Sequence, residues 1–174
     1  MKKENNKGFS LIELIIAVAI LVVLSGLLAP QLIKYVERSR EAKDMQALDS
    51  VYVAVNTALT NEDAYDAFTT GTGYGDIKDG MPINTILGKT DKFALEVKAV
   101  LGKTEVDLIS KRAKADSGVI MVQVREVKGG ADDVAGLEVG TYAGKKGTAN
   151  SDFKVGNVSV GGSSDPESSP SDET

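Results

Sequence analysis

The stretch FSLIELIIAVAILVVLSGLLAP, residues 9–30, decides the fold of this chain, and its only charged residue is Glu13. A helix of roughly 20 residues, at about 1.5 Å per residue, covers the roughly 30 Å hydrocarbon core of a bilayer. The stretch therefore predicts a helix that spans a membrane. Lys2, Lys3 and Lys7 precede it, and a basic head of this kind stays on the cytoplasmic side while the residues after the helix are carried outside.

Two simpler interpretations of the apolar stretch are a cleaved secretory signal and a plain signal anchor. A secretory signal has an apolar core of about 7–15 residues with small residues at its cleavage site, whereas this run is longer and Pro30 follows its best candidate site. A plain anchor fits the length. It does not explain Glu13, because a carboxylate in a membrane helix costs on the order of 2.5–3.5 kcal/mol at the helix centre and less near the headgroups. Lys7 could supply a partner cation.

The composition excludes several classes of function. The 174 residues contain no Cys and no His, so a disulfide framework, a thiolate metal site and a His-based catalytic triad are all excluded. A formal net charge of -5, from 20 basic and 25 acidic residues, leaves no large basic footprint, and direct nucleic-acid binding is not expected. We expect no catalytic residue, no metal site, no cofactor and no enzyme activity.

The residues after the membrane segment predict that the helix continues to about residue 60. Pro30 removes one backbone donor, so we expect a kink near Gly26 and Pro30. Beyond residue 34 an apolar stripe recurs at helical spacing, which predicts a face that packs on a sheet. The stripe comprises Met45, Leu48, Tyr52, Val55 and Leu59.

The remaining residues predict a small antiparallel sheet. Residues 61–92 are rich in Gly, Asp, Asn and Thr and are expected to form a loop between helix and sheet. Residues 93–101 alternate in polarity and predict a strand, residues 105–113 could be a strand or a short helix, and residues 118–127 are the strongest strand because of their β-branched content. Further strands are expected at residues 137–142 and 152–160, with a hairpin turn at AGKKG. The predicted fold is α+β, one long helix packed by its C-terminal half on three to five strands within residues 93–160.

The N-terminal residues resemble the class III leader of type IV pilins. The resemblance rests on the short basic head, Gly8, the run from Phe9 to Glu13, the unbroken apolar helix and Pro30. It implies that a prepilin peptidase removes residues 1–8 by cutting after Gly8 and that Phe9 becomes the N-methylated first residue. It further implies that Glu13 neutralises the Phe9 amine of a neighbouring subunit, since an ammonium and a carboxylate that are desolvated together attract strongly.

The same resemblance implies partners, places and a domain layout. The chain is expected as a precursor in the cytoplasmic membrane, in contact with lipid, and then in an extracellular homo-oligomeric filament built by membrane assembly machinery. Residues 9–33 would be the membrane and filament-core segment, and residues 34–60 the amphipathic half. Many family members close a C-terminal loop with a Cys pair. This chain lacks that pair, and in this respect it is similar to the Cys-free pilins of Gram-positive bacteria.

Two classes of function stay open on the sequence. The favoured one is a pilus subunit for motility, adhesion, aggregation or DNA uptake, and a pseudopilin of a type II secretion system shares the same N-terminal features. The other class is a membrane-anchored ectodomain that binds a ligand as a monomer. The acidic, Ser-rich residues 161–174 hold too little apolar surface to fold alone, and we expect a disordered tail.

Overall fold

The computed structural model describes residues 9–128 and 136–159. By compactness the chain divides into residues 1–39 and residues 40–174, and we call the described part of the second unit, residues 40–128 and 136–159, the headgroup. The helices are α1 (Leu11–Thr60), α2 (Glu62–Thr70), α3 (Ile83–Leu87) and α4 (Lys92–Leu101), and the strands are β1 (Met81–Pro82), β2 (Val119–Val127), β3 (Gly136–Lys145) and β4 (Thr148–Gly156). The predicted leader, residues 1–8, and the predicted tail, residues 161–174, lie outside the described residues.

The four strands form one antiparallel sheet in the order β1-β2-β3-β4. Strands β2 and β3 pair along their whole length, from Val119 opposite Gly144 to Val127 opposite Gly136. Strand β4 follows β3 through a tight turn at Lys146 and Gly147, where the sequence predicted a hairpin. The predicted α+β fold, with a long apolar N-terminal helix and a small antiparallel sheet, is confirmed.

The second half of α1 packs on this sheet through one fully buried face. Leu48, Val51 and Val55 are all inaccessible to solvent and share a core with Val122 and Phe153 of the sheet. Full burial of each such side chain stabilises the fold by about 1.5–3 kcal/mol. The predicted apolar stripe therefore lies where it was expected, with Leu48 and Val55 at its centre and Met45, Tyr52 and Leu59 partly buried at its edges.

The prediction that residues 61–92 form a connecting loop is wrong. The segment contains α2, a 3-10 turn at Ile77–Asp79, the short strand β1 and α3. Helix α2 begins because the side chain of Asn61 accepts a hydrogen bond from the Ala64 amide at 3.2 Å, which is an N-cap. Two of the polar residues that suggested a loop, Asn61 and Asp91, instead cap α2 and α4.

The predicted strand at residues 93–101 is also wrong, because this segment is α4. Phe93 and Val97, which fit an alternating pattern, lie one helical turn apart and are both fully buried. Asp91 caps the start by accepting the Ala94 amide at 2.9 Å. Gly102 ends the helix in a left-handed conformation, with φ at 66°, which glycine adopts without steric cost. The apolar spacing alone fits both a strand and a helix, and the caps at Asp91 and Gly102 distinguish the helix from the strand.

Residues 105–113, for which both a strand and a short helix were considered, form neither and run as an irregular segment that ends in turns. The buried carboxylate of Asp44, on α1, fixes this segment by accepting the backbone amides of Ile109 and Ser110, each at 2.8 Å. Both amides thereby gain a charged acceptor. A single side chain of α1 therefore satisfies two adjacent backbone amides of a segment that joins no strand.

An aromatic cluster holds α2, the loop after it and α4 together. The rings of Phe68, Tyr74 and Phe93 lie 5.0–5.4 Å apart between centroids, the range in which tilted aromatic pairs attract. The Tyr74 hydroxyl donates to both carboxylate oxygens of Asp91 at 2.9 Å. Burial, followed by the hydrogen bond and charge of Asp91, raises the pKa of Tyr74 well above its usual range.

The chain after β4 is fastened to the sheet by hydrogen bonds. Gly156 turns the chain with φ at +72°, and a Cβ there would lie 2.4 Å from the ring of Tyr52. The buried side chain of Gln123 then joins two segments, since its amide nitrogen donates to the Lys78 carbonyl at 2.7 Å and its oxygen accepts the Ser159 amide at 2.9 Å. Hydrogen bonds thus fasten residues 157–159 to a sheet that has no disulfide.

Asp44→Ala should destabilise the headgroup by about 2–4 kcal/mol, because one buried and one part-buried backbone amide lose a charged acceptor. Urea unfolding of the full chain in detergent, followed by the near-ultraviolet signal of the tyrosines, measures this change. Asp49→Ala is the matched control, since Asp49 is an exposed aspartate of the same helix, and we expect a change within about 0.5 kcal/mol. Equal effects of the two substitutions would contradict the role given to Asp44.

The free energy of unfolding should fall as the pH rises above about 10, because unfolded Tyr74 ionises there while the folded residue stays neutral at its raised pKa. Burial also raises the pKa of Tyr142, so part of the slope belongs to that residue. Unfolding measured from pH 8 to pH 11 should show a shallower decline for Tyr74→Phe. At neutral pH the free energy of unfolding of this variant should be about 1–3 kcal/mol lower than that of the parent chain, because the variant lacks the hydrogen bond to Asp91. An unchanged slope would show that Tyr74 does not contribute.

Candidate functional site

The first turn of α1 carries the charged residue that the sequence singled out. Helix α1 begins at Leu11, and the Leu14 amide donates its first helical bond to the Ser10 carbonyl at 3.3 Å. Glu13, in that first turn, accepts the Ser10 amide through Oε2 at 2.9 Å. The order Ser-x-x-Glu and this returning bond are those of a capping box. Glu13 therefore caps its own helix within a single chain.

Sequence reasoning treated Glu13 only as a charge and missed Ser10. The signal was present, since a Ser followed three residues later by Glu before an apolar run predicts a helix start. The positive end of the helix dipole also lies at this turn and favours a carboxylate by about 0.3–1 kcal/mol. The structure thus brings Glu13 together with Ser10, while Phe9 precedes the helix.

The apolar side chains of residues 9–36 face outward on every side of the helix. Phe9 is 89% exposed, and large apolar residues continue exposed from Leu11 to Val36. Among the described residues, α1 is the one helix long and apolar enough to cross a membrane by length and composition. Since each such side chain gains about 1.5–3 kcal/mol when it leaves water, this surface requires cover from lipid or from other protein.

The predicted kink residues lie inside this exposed segment. Pro30 is within α1, and the helix is assigned without interruption on both sides of it. Pro30 has no N–H to donate to the carbonyl four residues earlier, which belongs to Gly26. A Cβ at Gly26 would meet no atom within 4 Å, so the helix leaves open space there. The kink stays a prediction, and the missing hydrogen bond is its physical basis.

Two further predictions concern atoms that the described residues of a single chain do not include. Gly8, at which leader cleavage is predicted, lies outside the described residues. The predicted pairing of Glu13 with a Phe9 amine joins two chains, and it stays a prediction, as does N-methylation of Phe9. Within residues 9–128 and 136–159, no group of three or more acidic side chains is placed to hold a metal ion.

The geometry defines a class of protein that has two parts. One is a capped N-terminal helix whose apolar surface must be covered by lipid or protein, and the other is a headgroup with its own core. Comparison with known proteins narrows the class. The family model described as "Prokaryotic N-terminal methylation motif" matches residues 3–29. This range contains Gly8, Phe9 and Glu13.

The relatives found are pilins. The chain is 35% identical to the type IV major pilin protein PilA of Myxococcus xanthus over 69 residues, 40% of this chain and 31% of that protein. It is 36% identical to a type IV major fimbrial protein FimA of Dichelobacter nodosus over 72 residues, 41% of this chain and 46% of that protein. The aligned stretch spans less than half the length of either relative. No solved structure matches the chain. The resemblance to type IV pilins is thereby confirmed for the N-terminal part of the chain.

The capping bond predicts a local effect of Glu13 in the unassembled chain. In Glu13→Ala the amide of Ser10 should exchange with solvent several-fold faster, because it loses its acceptor and the first turn frays. Glu13→Gln should keep exchange close to that of the parent chain, since a carboxamide oxygen can accept the same bond. Amide hydrogen exchange in detergent micelles measures both rates. Slow exchange in Glu13→Ala would show that the Ser10 amide depends on another group.

Proposed function

We propose that this chain is a structural subunit of a type IV pilus. The observation that carries the proposal is the methylation motif at residues 3–29, at the start of a helix whose large apolar side chains are exposed from Leu11 to Val36. The names of the relatives, a major pilin and a major fimbrial protein, support the same function. The role is structural and not catalytic.

The exposed helix can meet two environments in turn. As a precursor, the chain places residues 9–33 in the cytoplasmic membrane, where lipid covers the apolar side chains. After a prepilin peptidase cuts behind Gly8, the assembly machinery moves the helix into an extracellular filament, where identical helices of neighbouring subunits replace the lipid. Apolar burial is retained throughout, so the transfer requires no exposure of this surface to water.

Glu13 directs this transfer in the proposed mechanism. One carboxylate oxygen accepts the Ser10 amide, and a carboxylate has further lone pairs for a second donor. That donor is the methylated Phe9 amine of a neighbouring subunit, which is desolvated together with Glu13 in the filament core. The pair fixes the register between subunits, because neither charge is tolerated there alone. The finished filament would serve motility, adhesion, aggregation or DNA uptake.

Analysis of the protein sheared from the surface of its own cells examines the proposal as a whole. We expect a high-molecular-weight fibre whose subunit begins at methylated Phe9, by N-terminal sequencing and intact mass. A chain that keeps residues 1–8 and stays with the membrane would instead indicate a tethered ectodomain. A processed chain confined to a secretion complex would indicate a pseudopilin.

The charge of Glu13 can be separated from its capping bond by substitution. Glu13→Gln keeps an acceptor for Ser10 and removes the charge, and we expect at least about a tenfold loss of surface filaments, because the neighbouring amine is left buried without a partner. Filament yield is measured against total subunit in the membrane. Glu62→Gln is the matched control, since Glu62 is an exposed glutamate in the first turn of α2. Normal assembly of Glu13→Gln would mean that capping alone explains Glu13.

A further inference from the structure

The headgroup contains an open cavity of about 950 Å³ that the filament proposal does not use. It lies among the end of α1, helix α2, the turn at Ile77–Asp79 and the paired ends of β2 and β3. Its base is apolar and includes Leu59, Val124 and Leu137, which border the main core. The volume falls in the range of about 300–1,000 Å³ that is usual for small-molecule sites.

One wall of the cavity is aromatic. Tyr65, Phe68 and Tyr74 all line it, and Tyr65 is 43% exposed. The ring of Tyr74 is held in place by the two bonds from its hydroxyl to Asp91, and Phe68 packs against it at 5.4 Å between centroids. Phe68 and Tyr74 are therefore held in place before any ligand arrives, which reduces the entropy lost on binding.

The rim of the cavity carries polar side chains of several kinds. Asn56 donates through its amide nitrogen to the Tyr52 carbonyl at 3.0 Å, an arrangement that leaves its side-chain oxygen as an acceptor for a ligand. Lys78 and Glu126 are exposed and contribute one positive and one negative charge. The rim therefore offers both hydrogen-bond donors and acceptors.

We propose that this cavity binds a neutral saccharide. A sugar ring has an apolar face that can lie on an aromatic side chain and a set of hydroxyls that need both donors and acceptors, and the wall and rim supply these together. A phosphate or other polyanion would meet Glu126 and only one lysine. A purely apolar chain would bury the polar rim without partners, which costs free energy. The site belongs to the headgroup of each chain and does not depend on filament assembly.

Binding can be measured on the full chain in micelles of a detergent without a sugar headgroup. The probes are glucose, galactose, N-acetylglucosamine, lactose and chitobiose, titrated with saturation-transfer difference NMR. We expect saturable binding of at least one probe. Tyr65→Ala should weaken it about three- to tenfold through loss of the stacking surface, Tyr65→Phe should retain most of it, and Glu126→Gln should weaken it by a similar factor.

Tyr35→Ala is the matched control, since Tyr35 is an exposed tyrosine of α1 outside the cavity, and binding should be unchanged. The circular dichroism of each variant should equal that of the parent chain, because both substituted cavity residues are exposed. Lack of saturable binding by all five probes would overturn the proposal, as would binding that Tyr65→Ala and Tyr35→Ala reduce equally. Either result would leave filament assembly unaffected, because the measurement uses the unassembled chain.

Discussion

The headgroup depends on burial of one face of α1 against the sheet. Leu48, Val51 and Val55 have no exposed surface, and the hydroxyl of Thr141 on β3 donates to the Leu48 carbonyl at 3.0 Å. This contact places a rigid helix behind β2 and β3. The smaller helices and the irregular segment around Ile109 then complete the core. The same helix begins with an apolar surface that no described residue covers, so its two halves require different surroundings.

Hydrogen bonds to side chains supply the cross-links that a chain without cysteine lacks. Asp44 fixes the segment around Ile109, Gln123 fastens residues 157–159, and Asp91 both caps α4 and holds Tyr74. Each of these acceptors satisfies more than one donor or joins more than one element. Bonds to a charged acceptor contribute about 1.5–3 kcal/mol, and a disulfide typically contributes about 2–4 kcal/mol. A few such residues can therefore match the effect of one disulfide.

The sequence predicted the parts of the fold whose signal is local. The apolar run before Pro30, the stripe through Leu48 and Val55 and the β-branched strand β2 all follow from the periodicity of neighbouring residues. Helix α4 was missed because Phe93 and Val97 fit alternation and helical spacing equally, and only the caps distinguish them. The partners of Asp44 lie 65 and 66 residues away, and the cavity is lined by five separate elements. Neither could be read from a local pattern, whereas the capping box at Ser10 could have been.

The capping bond changes the energetic argument about Glu13. A carboxylate at the start of a membrane helix is stabilised by about 0.3–1 kcal/mol from the helix dipole and by about 1.5–3 kcal/mol from a charged hydrogen bond, before the loss of hydration is counted. Insertion of a charge costs up to about 2.5–3.5 kcal/mol. Within one chain the Ser10 amide therefore offsets much of the cost of placing Glu13 near a membrane surface. That bond lies within one chain and needs no partner, so it does not distinguish the proposed filament from the membrane. In the function proposed above, the selecting group is the amine of a neighbouring chain, which would meet Glu13 only in the filament.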